Sequence, residues 1–477
     1  MNQRNPAMRA ERRTVAEALG GSKIWFDLTT SIRLVVLPPV GITRVECRYA
    51  VALARDLPGQ VGYCRFDGNL GRFRVVDEAS ASLALDLDRR IEHAPQPKRR
   101  GPIRQAARDF ERWFRLTRRR LIWGAIRALP TLQRLFGKVG FHLGKGLSGA
   151  VVIHKDEQLF DTVPFAPGDL LVLGGATWEK HDMAQLRDLR DRVGVSLVFL
   201  CYDLVPIKFP HFYLPESVVD FERFAEFIVR EASLVLCISE ATRRDLEAFA
   251  AAKQLTLRQV RVVRLGHNLS PPSPAPPIDL PSRVKPGGYV LYVSTIQVRK
   301  NHQMLYQIWR RFAERRGGGD LPYLVFVGIH GWLVDDLMSM IGRDPLVASR
   351  IVILSRTTDA ELAWLYRNCL FTVYPSLYEG WGLPISESLA HGKICIASDN
   401  SSMPEAGEGL ALHLDPLDFA AWYREIESLI DDPARRAAME AAIAAGYRPH
   451  DWAEAGQSFA REVADYAATR PRPAAPG

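Results

Sequence analysis

The sequence predicts an α/β protein built of two Rossmann-like lobes facing each other across a cleft, and three observations carry that prediction. Short runs of aliphatic, β-branched and aromatic residues, of the kind buried on both faces of a parallel sheet, alternate with helical stretches through both halves of the chain. Each half contains a strand that runs into a glycine-bearing loop and then a helix: residues 23–28, Gly41 and a helix over 43–57 in the first, and residues 370–373, Gly380, Gly382 and a helix over 383–389 in the second. Between the halves, residues 271–286 hold seven prolines, too many for regular structure, and read as an interdomain linker.

Taken in order, residues 1–20 form a polar tail. The first lobe covers 21–270, with two or three short strands over 62–86 and buried strands over 150–153, 170–174, 195–200 and 234–238. Helices are predicted over 180–193 and 221–232, and another starts at the capping run Ser239-Glu240-Ala241-Thr242. A linker over 271–287 leads to the second lobe, 288–450, whose first strand is 289–293. A last helix over 452–466 and a tail from 469 complete the chain, and no internal repeat is visible.

Composition narrows the function. The chain has 477 residues, 47% hydrophobic and 24% charged, with no apolar run approaching the ~18 residues of a membrane span and no apolar core of a secretory signal at its start, so a cytoplasmic enzyme is expected. Its 6 cysteines are scattered, with no Cys-x-x-Cys pair, and neither they nor the histidines and carboxylates show metal-ligand spacing; no structural metal and no cofactor are expected. The net charge of +8 is concentrated in residues 98–138, where 13 Lys and Arg face only Asp109 and Glu111. There arginines interleave with Phe110, Trp113, Phe114 and Trp123, the pattern of a basic aromatic helix that docks on an anionic membrane surface at the inner face of the cytoplasmic membrane. An insertion over 95–140 folded against its own lobe is the alternative; nucleic acid is not expected, since no recognition motif accompanies the charge.

The chemistry concentrates at Tyr374-Pro-Ser-Leu-Tyr-Glu-Gly-Trp-Gly-Leu-Pro. A glycine loop between strand and helix aims amide N–H groups and a positive helix end at an anion, so Gly380, Trp381, Gly382 and Leu383 are candidate diphosphate binders. Glu379 and Glu387 would be repelled by a phosphate and instead suit neutral, hydroxyl-rich partners: a hexose for Glu379 and a ribose for Glu387. Asp203 lies just past the end of the 195–200 strand, on the rim where open α/β sheets bind ligands.

Glu379 and Glu387, with Glu-Gly-Trp-Gly-Leu-Pro between the two, resemble the E-x7-E motif of retaining nucleotide-sugar glycosyltransferases of the GT-B fold, family 4. Blocks at 293–302, 324–332, 359–369 and 397–418 continue the likeness in the family's order, over roughly 289–468. The resemblance implies a retaining, metal-independent hexosyltransferase. It implies Lys300 as the diphosphate-binding lysine, with Thr295 where an arginine is common and Arg299 nearby. It places phosphate contacts at Ser294 and Thr295 and the base near Gly328, Ser355, Arg356 and Thr357. In the family the first glycine loop lies near donor phosphates and acceptor, which makes Gly41 and Arg44 secondary candidates. The Asp203-Leu-Val-Pro element faces the cleft there, usually after a histidine; this chain has Tyr202. The final helix crosses back to the first lobe in similar proteins. The likeness leans toward mannosyl and rhamnosyl members, hence a GDP-sugar over a UDP-sugar, and a surface polysaccharide or lipid-linked glycan acceptor. The alternatives are a non-catalytic or epimerase-like sugar-nucleotide-binding protein and a small-molecule glycosyltransferase.

The basic segment can be tested alone. Deleting residues 98–138 is expected to abolish co-sedimentation with phosphatidylserine-containing vesicles, and retention by the vesicles would remove the membrane reading.

Overall fold

The computed structural model describes residues 21–34, 41–86, 161–179, 181–269, 271–316, 321–355 and 357–470. The tail over 1–20, the strand expected over 150–153, the basic insertion over 95–140, Arg356 and the last seven residues lie outside them. The remaining chain forms one compact unit of two lobes.

The first lobe is a seven-stranded sheet of β1 (Ile24–Asp27), β2 (Val61–Asp67), β3 (Arg72–Val75), β4 (Leu170–Leu173), β5 (Ser196–Cys201), β6 (Leu234–Cys237) and β7 (Val260–Val262). Its order is β3-β2-β1-β4-β5-β6-β7, parallel except for the β2–β3 pair. The second is six-stranded: β8 (Tyr289–Val293), β9 (Tyr323–Val327), β10 (Ile351–Leu354), β11 (Thr372–Tyr374), β12 (Cys395–Ser398) and β13 (Leu412–Leu414), in the order β10-β9-β8-β11-β12-β13 and parallel throughout. In both sheets the order reverses, between β1 and β4 and between β8 and β11. At such a point the connections leave in opposite directions and open a crevice beyond the carboxyl ends of the strands.

Several elements differ from the sequence reading for local reasons. After β2 and β3, the region expected to hold a third strand is the helix Glu78–Leu85, because the Asp77 side chain accepts a hydrogen bond from Ser80 N at 2.8 Å and caps an alanine-rich run. The helix expected over 180–193 is broken: Asp182 caps a short helix, Met183–Asp188, which passes into a wider turn, Leu189–Val193, and stops at Gly194 with φ +83°. The helix placed at 221–232 starts earlier, at Pro215, which suits a first turn. The last helix extends to Thr469. The proline-rich 271–286 stretch holds no helix or strand, but Leu280 and Val284 are buried against Tyr289, Val325 and Leu365, so its second half belongs to the core of the second lobe. All six cysteines are buried free thiols, and no helix among the described residues is long and apolar enough to cross a membrane.

The final helix joins the lobes. Trp452–Thr469 begins in a reciprocal cap between Asp451 and Glu454 and lies along the helix Ile42–Asp56 of the first lobe. Phe459 stacks on Tyr49 with centroids 4.4 Å apart, and Trp452 meets the same ring edge-on. Through this helix a single apolar cluster runs from Ile24 and Phe26 to Val290 and Phe326, so the two sheets are held by a shared core as well as by the chain between them. The helices approach closely at Gly456, where an added Cβ would lie 2.3 Å from the Ala52 Cβ. Gly456→Val is therefore expected to destabilise by about 1–3 kcal/mol. Equilibrium denaturation measures the loss, and Ala52→Gly in the same chain should recover part of it; an unchanged midpoint for the single variant would contradict this packing.

Candidate functional site

The second sheet's crevice is built from two loops, one leaving β8 and one leaving β11. After β8 the chain makes a single tight turn, Val298–Lys300, ended by Asn301 in the left-handed conformation, which turns the Arg299 and Lys300 side chains back over the sheet. After β11 it runs through 375–382 into the helix Leu383–Ala390, with Gly382 at φ +123° as cap and Pro384 in the first turn. Leu377 N donates to Arg299 O at 2.9 Å, so the two loops are one unit.

Glu379 is the centre of that unit. Its Oε2 pairs with Arg299 Nη1 at 2.7 Å, and its Oε1 takes the Lys300 ammonium and the hydroxyls of Ser376 and Tyr374, the last at 3.2 Å. Tyr374 OH also accepts from Lys300 Nζ at 3.0 Å. Glu379 and Lys300 are 7% and 8% exposed, which makes the protonation states a balance between desolvation and pairing. Burial alone would raise the Glu379 carboxyl, but Arg299 and Lys300 outweigh it and hold it down at about 2. Burial lowers the Lys300 ammonium to about 8, Glu379 opposing and Arg299 reinforcing that shift.

The first lobe supplies the opposite wall. Thr242 Oγ1 donates to Tyr202 O at 3.2 Å and Gly380 O at 3.3 Å, and a Cβ on Gly380 would fall 1.9 Å from Tyr202 O, so only glycine permits this approach. The Asp203 carboxylate sits beside Gly380 and accepts from Val205 N at 3.0 Å; burial pushes its pKa up, with Arg299 pulling the other way. Glu405 of the second lobe accepts from Glu240 N and Ala241 N at 2.8 and 2.7 Å, capping a first-lobe helix across the gap.

Glu387 lies just over one turn into the helix Leu383–Ala390, buried, its Oε2 accepting from Tyr366 OH at 2.9 Å. Arg44, in the first turn of the helix that Gly41 caps, reaches across to Asp359 Oδ1 at 2.6 Å and lies within electrostatic range of Glu387. Burial raises the Glu387 carboxyl to about 7, Arg44 and the Tyr366 hydrogen bond working against the shift.

Comparison with known proteins finds similarity for the second lobe. The sequence profile described as "Glycosyl transferases group 1" matches residues 282–445. The matched residues lie in the second lobe, which resembles a group 1 glycosyltransferase domain. Relatives include the Escherichia coli O-antigen chain mannosyltransferase B, 29% identical over 251 residues that make up 51% of this chain and 64% of that protein. Another is the Escherichia coli serotype-specific mannosyltransferase WbdA, 26% identical over 48% of this chain and 29% of that one. The match thus spans less than two thirds of either relative's own length. Among solved structures, Anabaena HepE in complex with UDP-glucose aligns over 93% of this chain and 99% of its own with a TM-score of 0.53 at 16% identity, and the shared fold is GT-B.

Within that fold the other expected residues take several positions. Ser294 and Thr295 leave β8 half-buried at the crevice; Ser294 Oγ lies 3.3 Å from His302 Nε2, and Gly328 packs so tightly on this turn that a Cβ would sit 1.9 Å from Ser294 O. Ser355 is exposed and Thr357 half-buried just before the helix Asp359–Asn368. Trp381 turns its indole toward Arg264 of the first lobe, and its buried Nε1 has no hydrogen-bond partner. Tyr202, standing where relatives of the family commonly have histidine, donates its hydroxyl to Gly174 O at 2.5 Å and so faces its own lobe. Among the described residues no three His, Cys, Asp or Glu side chains group as metal ligands do.

Sequence reasoning missed Tyr374, Ser376, Tyr366, Asp359 and Tyr213. Ser376 and Tyr374 stand three and five residues before Glu379, and their short spacing was a usable signal; the others are assembled only by the fold. The burial of Glu387 has a measurable consequence. Its folded pKa of about 7 stands above the ordinary 4.5, so the native state holds the extra proton between these values and loses stability as pH rises through 7. Glu387→Gln, which stays neutral, should match wild type in denaturant midpoint near pH 5 and exceed it at pH 8; a constant difference across that range would refute the shift.

Proposed function

We propose that the chain is a retaining, metal-independent hexosyltransferase that moves mannose from GDP-mannose to a growing surface polysaccharide or lipid-linked glycan. The observation that carries this reading is the constellation of Glu379, Arg299 and Lys300 at the switch point of the second sheet, with Glu387 on the helix that follows the Glu379 loop. The printed names of the two mannosyltransferase relatives support the sugar and the polymer acceptor.

The chemistry follows from charge. As the glycosidic bond breaks, the leaving diphosphate gains negative charge and the sugar becomes oxocarbenium-like. Arg299, Lys300 and the amides of Gly380 to Leu383 receive the diphosphate at the positive end of the helix Leu383–Ala390. Lys300 is largely charged at neutral pH, and burial leaves it poorly solvated, so it gains from an added anion. Glu379 is saturated by donors of its own chain; when the diphosphate draws the two cations toward itself, carboxylate oxygens become available to sugar hydroxyls. Glu387 holds the ribose, and Gly328, Ser355 and Thr357 border the base. Asp203 orients sugar or acceptor from the opposite wall. The acceptor attacks on the face the phosphate leaves, and the departing phosphate takes its proton, so no protein base is required. The chain works in the cytoplasm, held at the inner membrane face by residues 98–138.

Lys300→Ala and Glu379→Ala should each lower kcat by about two to three orders of magnitude with the fold retained, whereas Glu387→Ala should chiefly raise the donor KM. Nucleotide release from GDP-mannose measures this, and GDP should raise the melting temperature more than UDP does. Turnover at wild-type rate in the first two variants would sink the assignment, and a larger shift with UDP would move the donor to a UDP-sugar.

A further inference from the structure

The mouth of the cleft carries an aromatic surface that the donor site does not use. Trp332, 46% exposed, is flanked by Ile329 at 51% and Leu333 at 60% on the loop after β9, and by Leu214 at 63% from the first lobe. The Trp332 and Tyr213 rings lie 5.9 Å apart at 47°, one from each lobe. A large indole left open to water beside three exposed aliphatic side chains is an unusual surface for a soluble domain.

The surface is rigid and it is joined to the catalytic residues. Trp332 Nε1 donates to Phe212 O at 2.8 Å across the lobes, which fixes the plane of the indole. Ile296 N donates to Ile329 O at 2.9 Å and Gly331 N to Ile296 O at 2.8 Å, stitching the loop to the segment that leads into Arg299 and Lys300. Leu333 is held at φ +58°, a strained conformation for a bulky non-glycine residue and one that tends to mark binding sites. The inner edge of the surface is the Tyr213 hydroxyl, within hydrogen-bond reach of Arg299 and in the field of Asp203 and Glu379; burial, before those charges, raises its pKa. At the outer edge stand His330 and Asp335, 3.5 Å apart and exposed.

We propose that Trp332 and Tyr213 form an acceptor subsite that stacks a pyranose ring of the incoming glycan. This rests on the transferase reading above and deepens it. A pyranose offers one face of C–H bonds, which suits an exposed indole, and a girdle of hydroxyls, which suits a rim carrying a phenol, an imidazole and a carboxylate. A lipid tail or a protein helix would match the apolar residues but leave the polar rim unused. Continuity with Arg299 through Tyr213 sets the ring stacked on Trp332 next to the sugar being transferred.

The probe is an α-linked mannotriose, titrated by saturation-transfer NMR against the full chain loaded with GDP. Wild type should bind it. Trp332→Ala should weaken binding about tenfold, the share of one stacked aromatic, while Trp332→Phe, which keeps a ring but not the N–H, should stay within about threefold. In turnover, Trp332→Ala should raise the acceptor KM with little change in kcat. Circular dichroism and melting temperature confirm that each variant is folded. Equal mannotriose affinity in wild type and Trp332→Ala, or no binding by wild type, overturns the subsite. Nucleotide release from GDP-mannose separates this from the transferase reading: donor turnover with an acceptor KM indifferent to Trp332 removes the subsite alone, and Trp332-dependent mannotriose binding without any donor turnover removes the transferase and leaves the subsite standing.

Discussion

The second lobe depends on one shared counter-ion. Two adjacent cations, half-buried Arg299 and buried Lys300, lie under the same loop, and the single carboxylate of Glu379 pairs with both. Breaking such a group from one side leaves an unpaired buried charge, which is more damaging than losing the whole group would be. The same carboxylate also takes the Ser376 and Tyr374 hydroxyls, so it sets the path of the loop that carries Gly380 and Gly382. The stability of the loop and the electrostatics of the crevice are thus one arrangement. Burial lowers the Lys300 ammonium even with that carboxylate beside it.

The first lobe closes the site more than it furnishes it. Its contributions are mostly backbone and positioning: Tyr202 O against Gly380, Val205 N holding Asp203, a helix whose N-terminus is capped by Glu405 of the other lobe. Arg44 is the exception, a long side chain that crosses to Asp359 and bears on Glu387. The crossing helix Trp452–Thr469 and the cluster of His267, Tyr447 and His450 keep these contacts in register, with His267 Nε2 2.8 Å from Tyr447 OH and His267 N donating to His450 O.

Two departures from the pattern of the resembling family have structural counterparts. Thr295 stands where the resemblance leads one to expect an arginine, and Glu379 is paired by the guanidinium of Arg299, one residue before the lysine. The tight turn Val298–Lys300 allows both neighbouring side chains to reach the same carboxylate, because Asn301 in the left-handed conformation ends the turn at once. Tyr202, where the resemblance leads one to expect a histidine, donates its hydroxyl to Gly174 O of its own lobe.

How much of this was legible in the sequence depends on the range of the forces involved. Strand and helix periodicity, the capping runs, the glycine loop at 380–382 and the proline-rich 271–286 stretch are local, and composition and spacing were enough to read the two-lobed α/β architecture and to single out Glu379 and Glu387, whereas Lys300 came from the family resemblance. Misread elements were those where a local competitor decided: Asp77 capping a helix where a strand was expected, and Gly194 ending a helix that had already been broken. The partners of the candidate residues were another matter. Tyr366, Asp359 and Tyr213 lie far from Glu387, Arg44 and Arg299 along the chain, and no period or motif links them; packing within the second lobe brings Tyr366 to Glu387, and the approach of the two lobes brings Asp359 to Arg44 and Tyr213 to Arg299. By itself the sequence determined which residues carry charge, turn and cap; the tertiary structure alone decided which of those charges are desolvated and by whom they are answered, because burial and pairing are properties of neighbours in space and not of neighbours in sequence.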